Sequence, residues 1–319
     1  MSGKKIAKAL IGKLASLRMC GRGAQRGSTA RARRVRHRHR CAISLRRAAA
    51  QSSDQLPPSA STSTTPTAPL LPGGNWKCNG TVAQVKSWVD VLNAAGTFSA
   101  NSEVVIAAPA IHLATLKKTF RPDISVAAED VGFKKGYGAY TGELSAELLA
   151  DSGIKWTLTG HSERRVGFGF PGETSEVVGV KTKNAIDAGL SVMACIGEQL
   201  ADRQNGTTMK VCAEQLEAIK KALKTEDWKK VVIAYEPVWA IGTGVTASPK
   251  QAQDTHADIR KWLAQNISPA VAAETRIIYG GSATAANAGE LYSQPDINGF
   301  LVGGASLKPE FVQIINVTK

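Results

Sequence analysis

The chain has 319 residues, 43% of them hydrophobic, and a formal net charge of +14 at pH 7. That is enough apolar material for one large core, and so much positive charge raises nucleic acid as a partner until its distribution is read. Residues 1–73 hold 15 Lys or Arg and one acid, Asp54, whereas the rest carries 25 bases and 25 acids, so the body of the protein is neutral and is not expected to bind nucleic acid.

The leader has no acid before Asp54, is rich in Arg, Ala and Ser, and contains the run Arg31–Arg40. A Ser/Thr/Pro tract follows, from Pro57 to Pro72. This composition predicts an organelle transit peptide and a disordered linker over residues 1–73, ahead of a folded domain over 74–319. The expected destination is the plastid stroma, with the mitochondrion as alternative. The leader lacks the apolar core of a secretory signal, and no run in the chain is long enough to span a membrane. An Arg-rich nucleic-acid arm is the competing reading, weakened because no aromatic residue is interleaved with the arginines. The five cysteines (Cys20, Cys41, Cys78, Cys195 and Cys212) are odd in number and lack paired spacing. Neither a disulfide framework nor a zinc site is expected, and no cofactor or metal is called for.

From Gly74 onward, short apolar runs alternate with longer amphipathic ones. Strands are predicted just before Asn75 and over 104–108, 124–128, 156–160, 190–195, 231–235, 275–279 and 299–302, their β-branched content fitting strands buried on both faces. Helical patterns fill the gaps over 81–95, 145–151, 173–188, 209–223 and 249–264. Ser248 followed by Pro249 is a clear start signal. Eight strand–helix units over about 245 residues predict an α/β fold of the (β/α)8 or TIM-barrel class, in which chemistry sits at the C-terminal ends of the strands.

That rule sorts the polar residues. Asn75 and Lys77 follow strand 1, and His161, Ser162 and Glu163 follow strand 4. Glu236 ends strand 6, Gly280-Gly281-Ser282 follows strand 7, and Gly303-Gly304 follows strand 8. A Glu ending an apolar strand sits where dehydration favours its neutral form and so makes it a usable base. The next residues, Pro237, Val238, Trp239, Ala240, Ile241, Gly242, Thr243 and Gly244, read as a lid with a stiff start and a pliable tip, suited to chemistry that must exclude water. Gly167 to Gly172 satisfies G-x-G-x-x-G, but it starts six residues beyond strand 4, and Pro171 disfavours a helix there. A loop is the better reading than a dinucleotide site.

The strings Gly74-Asn75-Trp76-Lys77-Cys78-Asn79, Gly138-Ala139-Tyr140-Thr141-Gly142-Glu143, Gly160-His161-Ser162-Glu163-Arg164-Arg165, Ala194-Cys195-Ile196-Gly197-Glu198 and Leu301-Val302-Gly303-Gly304-Ala305-Ser306-Leu307, with the Glu236 lid, resemble the triosephosphate isomerase family, in order, from about Gly73 to the C-terminus. The resemblance implies interconversion of dihydroxyacetone phosphate and glyceraldehyde 3-phosphate, in glycolysis, gluconeogenesis and the plastid carbon-fixation cycle. Glu236 would be the base and His161 a neutral electrophile, its helix capped by Ser162. Lys77 would stabilise negative charge beside its ion-pair partner Glu163, with Asn75 as a further donor. Backbone N–H groups of Gly242, Ser282, Gly303 and Gly304 would hold the phosphate. It also implies a homodimer, with the loop around Thr141 reaching into the neighbour's site. A catalytically degraded phosphate-binding barrel is the alternative.

The chain departs from the family pattern at four places. Pro72 lacks a ladder donor, so strand 1 is expected to be short or displaced. The loop after Arg165 is about three residues longer, Glu129 stands where Gln is common, and Val245 replaces a common Lys at the far hinge of the lid.

Overall fold

The computed structural model describes residues 69–242 and 246–317. The proposed transit peptide, together with Thr243, Gly244 and Val245 of the lid, lies outside the described residues. Eight strands form a closed parallel barrel in sequence order: β1 (Leu71–Asn75), β2 (Val104–Ala108), β3 (Ile124–Ala128), β4 (Trp156–Thr159), β5 (Ser191–Ile196), β6 (Val231–Tyr235), β7 (Ile277–Tyr279) and β8 (Gly299–Val302). The helices around it are α1 (Val82–Asn93), α2 (Leu113–Thr119), α3 (Ala146–Asp151), α4 (Ser162–Val166), α5 (Ser175–Asp187), α6 (Leu200–Gln204), α7 (Thr208–Ala222), α8 (Pro249–Asn266), α9 (Pro269–Glu274), α10 (Ala288–Tyr292) and α11 (Phe311–Ile315).

Both faces of the strands are buried, and alternation splits each between two cores. Leu71, Val105, Ala107, Leu158, Met193, Cys195, Val232, Ala234, Ile278 and Leu301 fill the barrel interior. The intervening residues, such as Val104, Ile106, Ile233 and Tyr235, face the helices. Cys195 is therefore a core residue, and burial pushes its thiol pKa up. The long helices are stopped and started by local chemistry. Thr81 and Ser248 each close a capping box with a Gln three residues on, and Pro249 occupies the first turn of α8.

Strand 1 corrects the expectation from Pro72. It is neither short nor displaced: its five residues match β2, β3 and β6 in length, and it begins three residues before the boundary placed at Gly74. Leu70 donates to Asn101 on the β2 side, Leu71 to Asn298 on the β8 side, and Trp76 to Ala107 on the β2 side. By that alternation the nitrogen of Pro72 faces β2, where its missing donor removes one bond near the start of the ladder. On the other side Pro72 registers with Phe300. Closure between β8 and β1 depends on Gly299, whose φ is 147° and whose absent Cβ would lie 2.2 Å from the Leu71 carbonyl oxygen.

The segment after α4, expected to be longer than in the family, is a tight turn. Gly167 ends the helix in the left-handed region (φ 86°), and its N–H donates to the Glu163 carbonyl. Gly172 then passes so close to the Arg165 carbonyl that a Cβ would sit 1.7 Å from its oxygen. Phe168 and Phe170 are left exposed on this turn.

Candidate active site

The ends of β1, β4, β6, β7 and β8 surround a cavity of about 420 Å³, lined by Asn75, Lys77, His161, Glu236, Gly242, Ser282, Gly303 and Gly304 among others. Every residue assigned from the sequence to the reaction or to phosphate therefore reaches one cavity. Thr141 does not: it is exposed, on the segment between β3 and α3, outside the residues lining that cavity.

Glu236 is 2% exposed. Its backbone N–H donates to Ile196, and the Tyr235 carbonyl before it accepts from Gly280, so the residue is fixed between β5 and β7. Gly280 also makes room for it, since a Cβ there would lie 2.8 Å from Glu236 Cγ. The carboxylate holds two contacts. Oε2 accepts from the Ser162 backbone N–H at 2.9 Å, and Oε1 lies 3.1 Å from His161 Nε2.

His161 precedes the first turn of α4 and is itself the capping residue, correcting the assignment of the cap to Ser162. Its Nδ1 accepts the Glu163 N–H at 3.3 Å. An accepting Nδ1 carries no proton, so the ring proton sits on Nε2, which faces Glu236 and the cavity. The main chain of α4 thus sets both the tautomer of the imidazole and one anchor of the carboxylate.

Lys77 is one of two described non-glycine residues with positive φ, at 53°. Such a conformation costs about 1–3 kcal/mol and persists where the surroundings impose it. Here Asn75 Oδ1 accepts the Lys77 N–H at 3.0 Å, and Nζ meets Glu163 Oε1 at 2.7 Å. Gly303 lies beside the lysine stem, a Cβ there falling 3.6 Å from Lys77 Cε. The ammonium is held at the cavity by a partner from the same helix that carries the Nδ1-capping N–H.

The first residues of the lid are anchored to Glu198, two residues beyond the end of β5. Val238 N–H donates to the Glu198 carbonyl at 3.1 Å. Glu198, fully buried, accepts from Trp239 Nε1 at 2.9 Å and from Tyr235 Oη at 3.1 Å to each oxygen. Sequence reasoning quoted Glu198 within a motif but gave it no role. The same is true of Gly197, whose N–H and C=O are both clasped by the Gln215 amide. Arg165, too, was missed as a brace: its Nε donates to the Gly160 carbonyl and Nη2 to that of Cys195, tying β4 to β5 directly below the site. For Glu198 the available signal was a carboxylate just past the end of an apolar strand, as for Glu236; Arg165 lies within α4 and carried no such signal.

A second cavity of about 200 Å³ adjoins the first, sharing Asn75, Lys77 and His161 and adding Cys78, Glu129, Asp130, Glu163, Arg164 and Phe168. Burial, and next the Glu163 carboxylate, push the Glu129 pKa up to about 8 against the opposing pull of Lys77. Its Oε1 is buried without a hydrogen-bond partner. Behind it, Lys181 is buried between Asp130 and Glu173, and Arg164 joins the same two carboxylates. Among the described residues, no cluster of His, Cys, Asp and Glu is arranged to hold a metal ion.

The fold and site define a (β/α)8-barrel enzyme that brings a carboxylate, an imidazole N–H and an ammonium to one cavity rimmed by glycines. The profile of the family described as triosephosphate isomerase matches residues 71–318. A triosephosphate isomerase of Coprinopsis cinerea is 54% identical over 248 residues, covering 77% of this chain and 97% of the relative. The cytosolic triosephosphate isomerase of Oryza sativa is 54% identical over 245 residues (76% and 94%), and that of Taenia solium 48% over 251 residues (78% and 98%). The chain belongs to the triosephosphate isomerase family and is an isomerase.

Proposed function

We propose that the chain interconverts dihydroxyacetone phosphate and D-glyceraldehyde 3-phosphate through an enediolate. The observation that carries this reading is the pairing of Glu236 Oε1 with His161 Nε2 at 3.1 Å, beside Lys77, in one cavity. When substrate enters, its carbonyl oxygen takes over the Nε2–H as a hydrogen-bond donor, and the released Oε1 removes the proton from the adjacent carbon. His161 and Lys77 stabilise the oxyanion that forms. Backbone N–H groups at Gly242, Ser282, Gly303 and Gly304 hold the phosphate dianion, where small residues allow close approach. Lid closure keeps water from the enediolate, which would otherwise lose phosphate.

The test is interconversion of the two triose phosphates by purified protein. Glu236→Gln keeps the shape but exchanges one of the two acceptor oxygens for an NH2 donor and removes the base, and a loss of about 10²–10⁴ in kcat is expected. A folded protein without activity would support the degraded phosphate-binding barrel instead.

Assembly as a homodimer is part of the proposal. The segment from Gly132 to Leu144 is pinched at its base by the Gly132 N–H to Leu144 carbonyl bond, and it presents exposed Phe133, Tyr137 and Thr141. Such a finger suits the Glu129 cavity of a second copy, where Thr141 would meet Asn75 and His161. For the leader we propose delivery to the plastid, where the reaction would serve carbon fixation. The family match starts only at residue 71, which leaves the acid-poor, Arg-rich segment as an addition to the enzyme. Imaging residues 1–73 fused to a fluorescent reporter tests this, and mitochondrial signal would overturn it.

A further inference from the structure

Two carboxylates that the reaction does not use line the second cavity, Glu129 and Asp130, and each has one buried oxygen without a partner; Asp130 is ion-paired to Lys181 and Arg164 through its other oxygen, whereas no ion pair reaches Glu129 among the described residues. The charges around it come from several elements. Lys77 follows β1, with the exposed Cys78 next to it; His161, Glu163 and Arg164 come from the start of α4. Asp130 is its own neighbour, held by Lys181 of α5 together with Glu173. Glu143, from the base of the finger, lies against Gly132. The cations are already committed: Lys77 to Glu163, and Arg164 and Lys181 to Asp130 and Glu173. Among the described residues, what favours a Glu129 carboxylate is the main-chain N–H of Lys77 and the charge of its ammonium, and burial together with Glu163 outweighs both.

We propose that Glu129 makes the pairing of two copies of this chain proton-dependent, each copy entering the dimer with this side chain as a neutral carboxylic acid. The inference rests on the finger-into-cavity assembly proposed above. Docking a finger removes the remaining water from the Glu129 carboxyl. A neutral acid can donate to a hydroxyl or carbonyl oxygen of the incoming finger, whereas a carboxylate would be left dehydrated, with one oxygen unpartnered, beside the like charge of Glu163. The carboxyl is neutral below pH about 8 in the single chain, and docking raises that threshold further. The sign follows: pairing is at full strength in neutral solution and weakens as pH rises through and beyond 8. Two symmetric sites mean two protons per dimer, so the dissociation constant rises by up to about 100-fold per pH unit in that range.

The experiment is sedimentation of the full chain over a dilution series between pH 6.5 and 9, with dilution calorimetry at pH 8.5 in two buffers of different ionisation enthalpy. The expected result is a dissociation constant flat near pH 6.5–7 that climbs at least tenfold by pH 9, with about 1.5 protons released per dimer dissociated at pH 8.5. Glu129→Gln, checked for folding by circular dichroism, should pair with a constant flat across the range. A wild-type constant that changes less than threefold, calorimetry showing no proton release, or a Gln variant that keeps the wild-type slope would each overturn the role of Glu129 while leaving the dimer intact. A chain that stays monomeric at every pH and still isomerises substrate would overturn both the assembly and this inference.

Discussion

Gly197 gives the sharpest test of how the barrel positions its base. A Cβ at this residue would lie 1.7 Å from the carbonyl oxygen of Glu236 and 2.6 Å from its carbonyl carbon. Real Cβ atoms keep at least 3.0 Å from such neighbours, so in Gly197→Ala the two strand ends must part by about 1.3 Å or more. Neither side yields easily. Gln215 grips Gly197 through both its N–H and its C=O, and Glu236 is bonded to Ile196 on the same side. The displacement therefore reaches the base, and an error of about 1 Å in a reacting group costs on the order of 100-fold in rate. Overpacking of this kind costs about 1–3 kcal/mol, which lowers Tm by about 2–4 °C per kcal/mol in a domain of this size. The assay is steady-state isomerisation at 25 °C together with thermal unfolding. Gly179→Ala serves as the control: its Cβ would lie 2.6 Å from the Ala218 carbonyl oxygen, between α5 and α7 and away from the cavity, so it should lower Tm while kcat stays within threefold of wild type. A Gly197→Ala protein with wild-type kcat, or a Gly179→Ala protein that loses as much activity, would refute the claim that this contact sets the base.

Tyr235→Phe removes a hydroxyl that donates to both oxygens of fully buried Glu198; urea titration should show a loss of about 1–3 kcal/mol, the usual cost of depriving a buried group of its donor. Gly299→Ala combines a φ of 147° with a Cβ 2.2 Å from the Leu71 carbonyl oxygen. Strain and overpacking at the β8–β1 closure should together cost about 2–6 kcal/mol, read as reduced soluble yield or a far lower Tm. His256 is fully buried and desolvation lowers its pKa to about 4, from an ordinary value of 6.5. The unfolded chain therefore binds this proton first, so stability is complete above pH 6.5 and the folding constant falls by up to tenfold per pH unit between there and pH 4. Chemical denaturation across that range should show a shallower decline in His256→Gln.

Much of the architecture could be read in the chain because barrel strands buried on both faces leave uninterrupted apolar runs. The ranges 104–108, 124–128, 231–235 and 299–302 come out as read. Some of the shorter helices, such as α2 and α6, were not legible, since one or two turns give too little periodicity. Pro72 misled because its cost depends on which neighbour its nitrogen faces, and side alternation is a property of the assembled sheet. At the site, residue types at strand ends located Glu236, His161 and Lys77. What no sequence pattern carried was the backbone conformation of Lys77, the capping by His161, the clasp of Gln215 on Gly197, and the proton that burial places on Glu129. Each arises from segments brought together only by closure of the barrel.

The donors that matter most around His161 and Glu236 are peptide N–H groups, those of Glu163 and Ser162. A main-chain donor is present whatever side chain its residue bears, and proline alone would delete it. Substitution at position 162 or 163 can therefore change volume, charge and surface without touching the proton assignment of the imidazole or the second anchor of the carboxylate. These two anchors are tied to the path of the chain, which closes both positions to one amino acid, while the side chain of Glu163 is held to its type by a separate demand, the ion pair with Lys77.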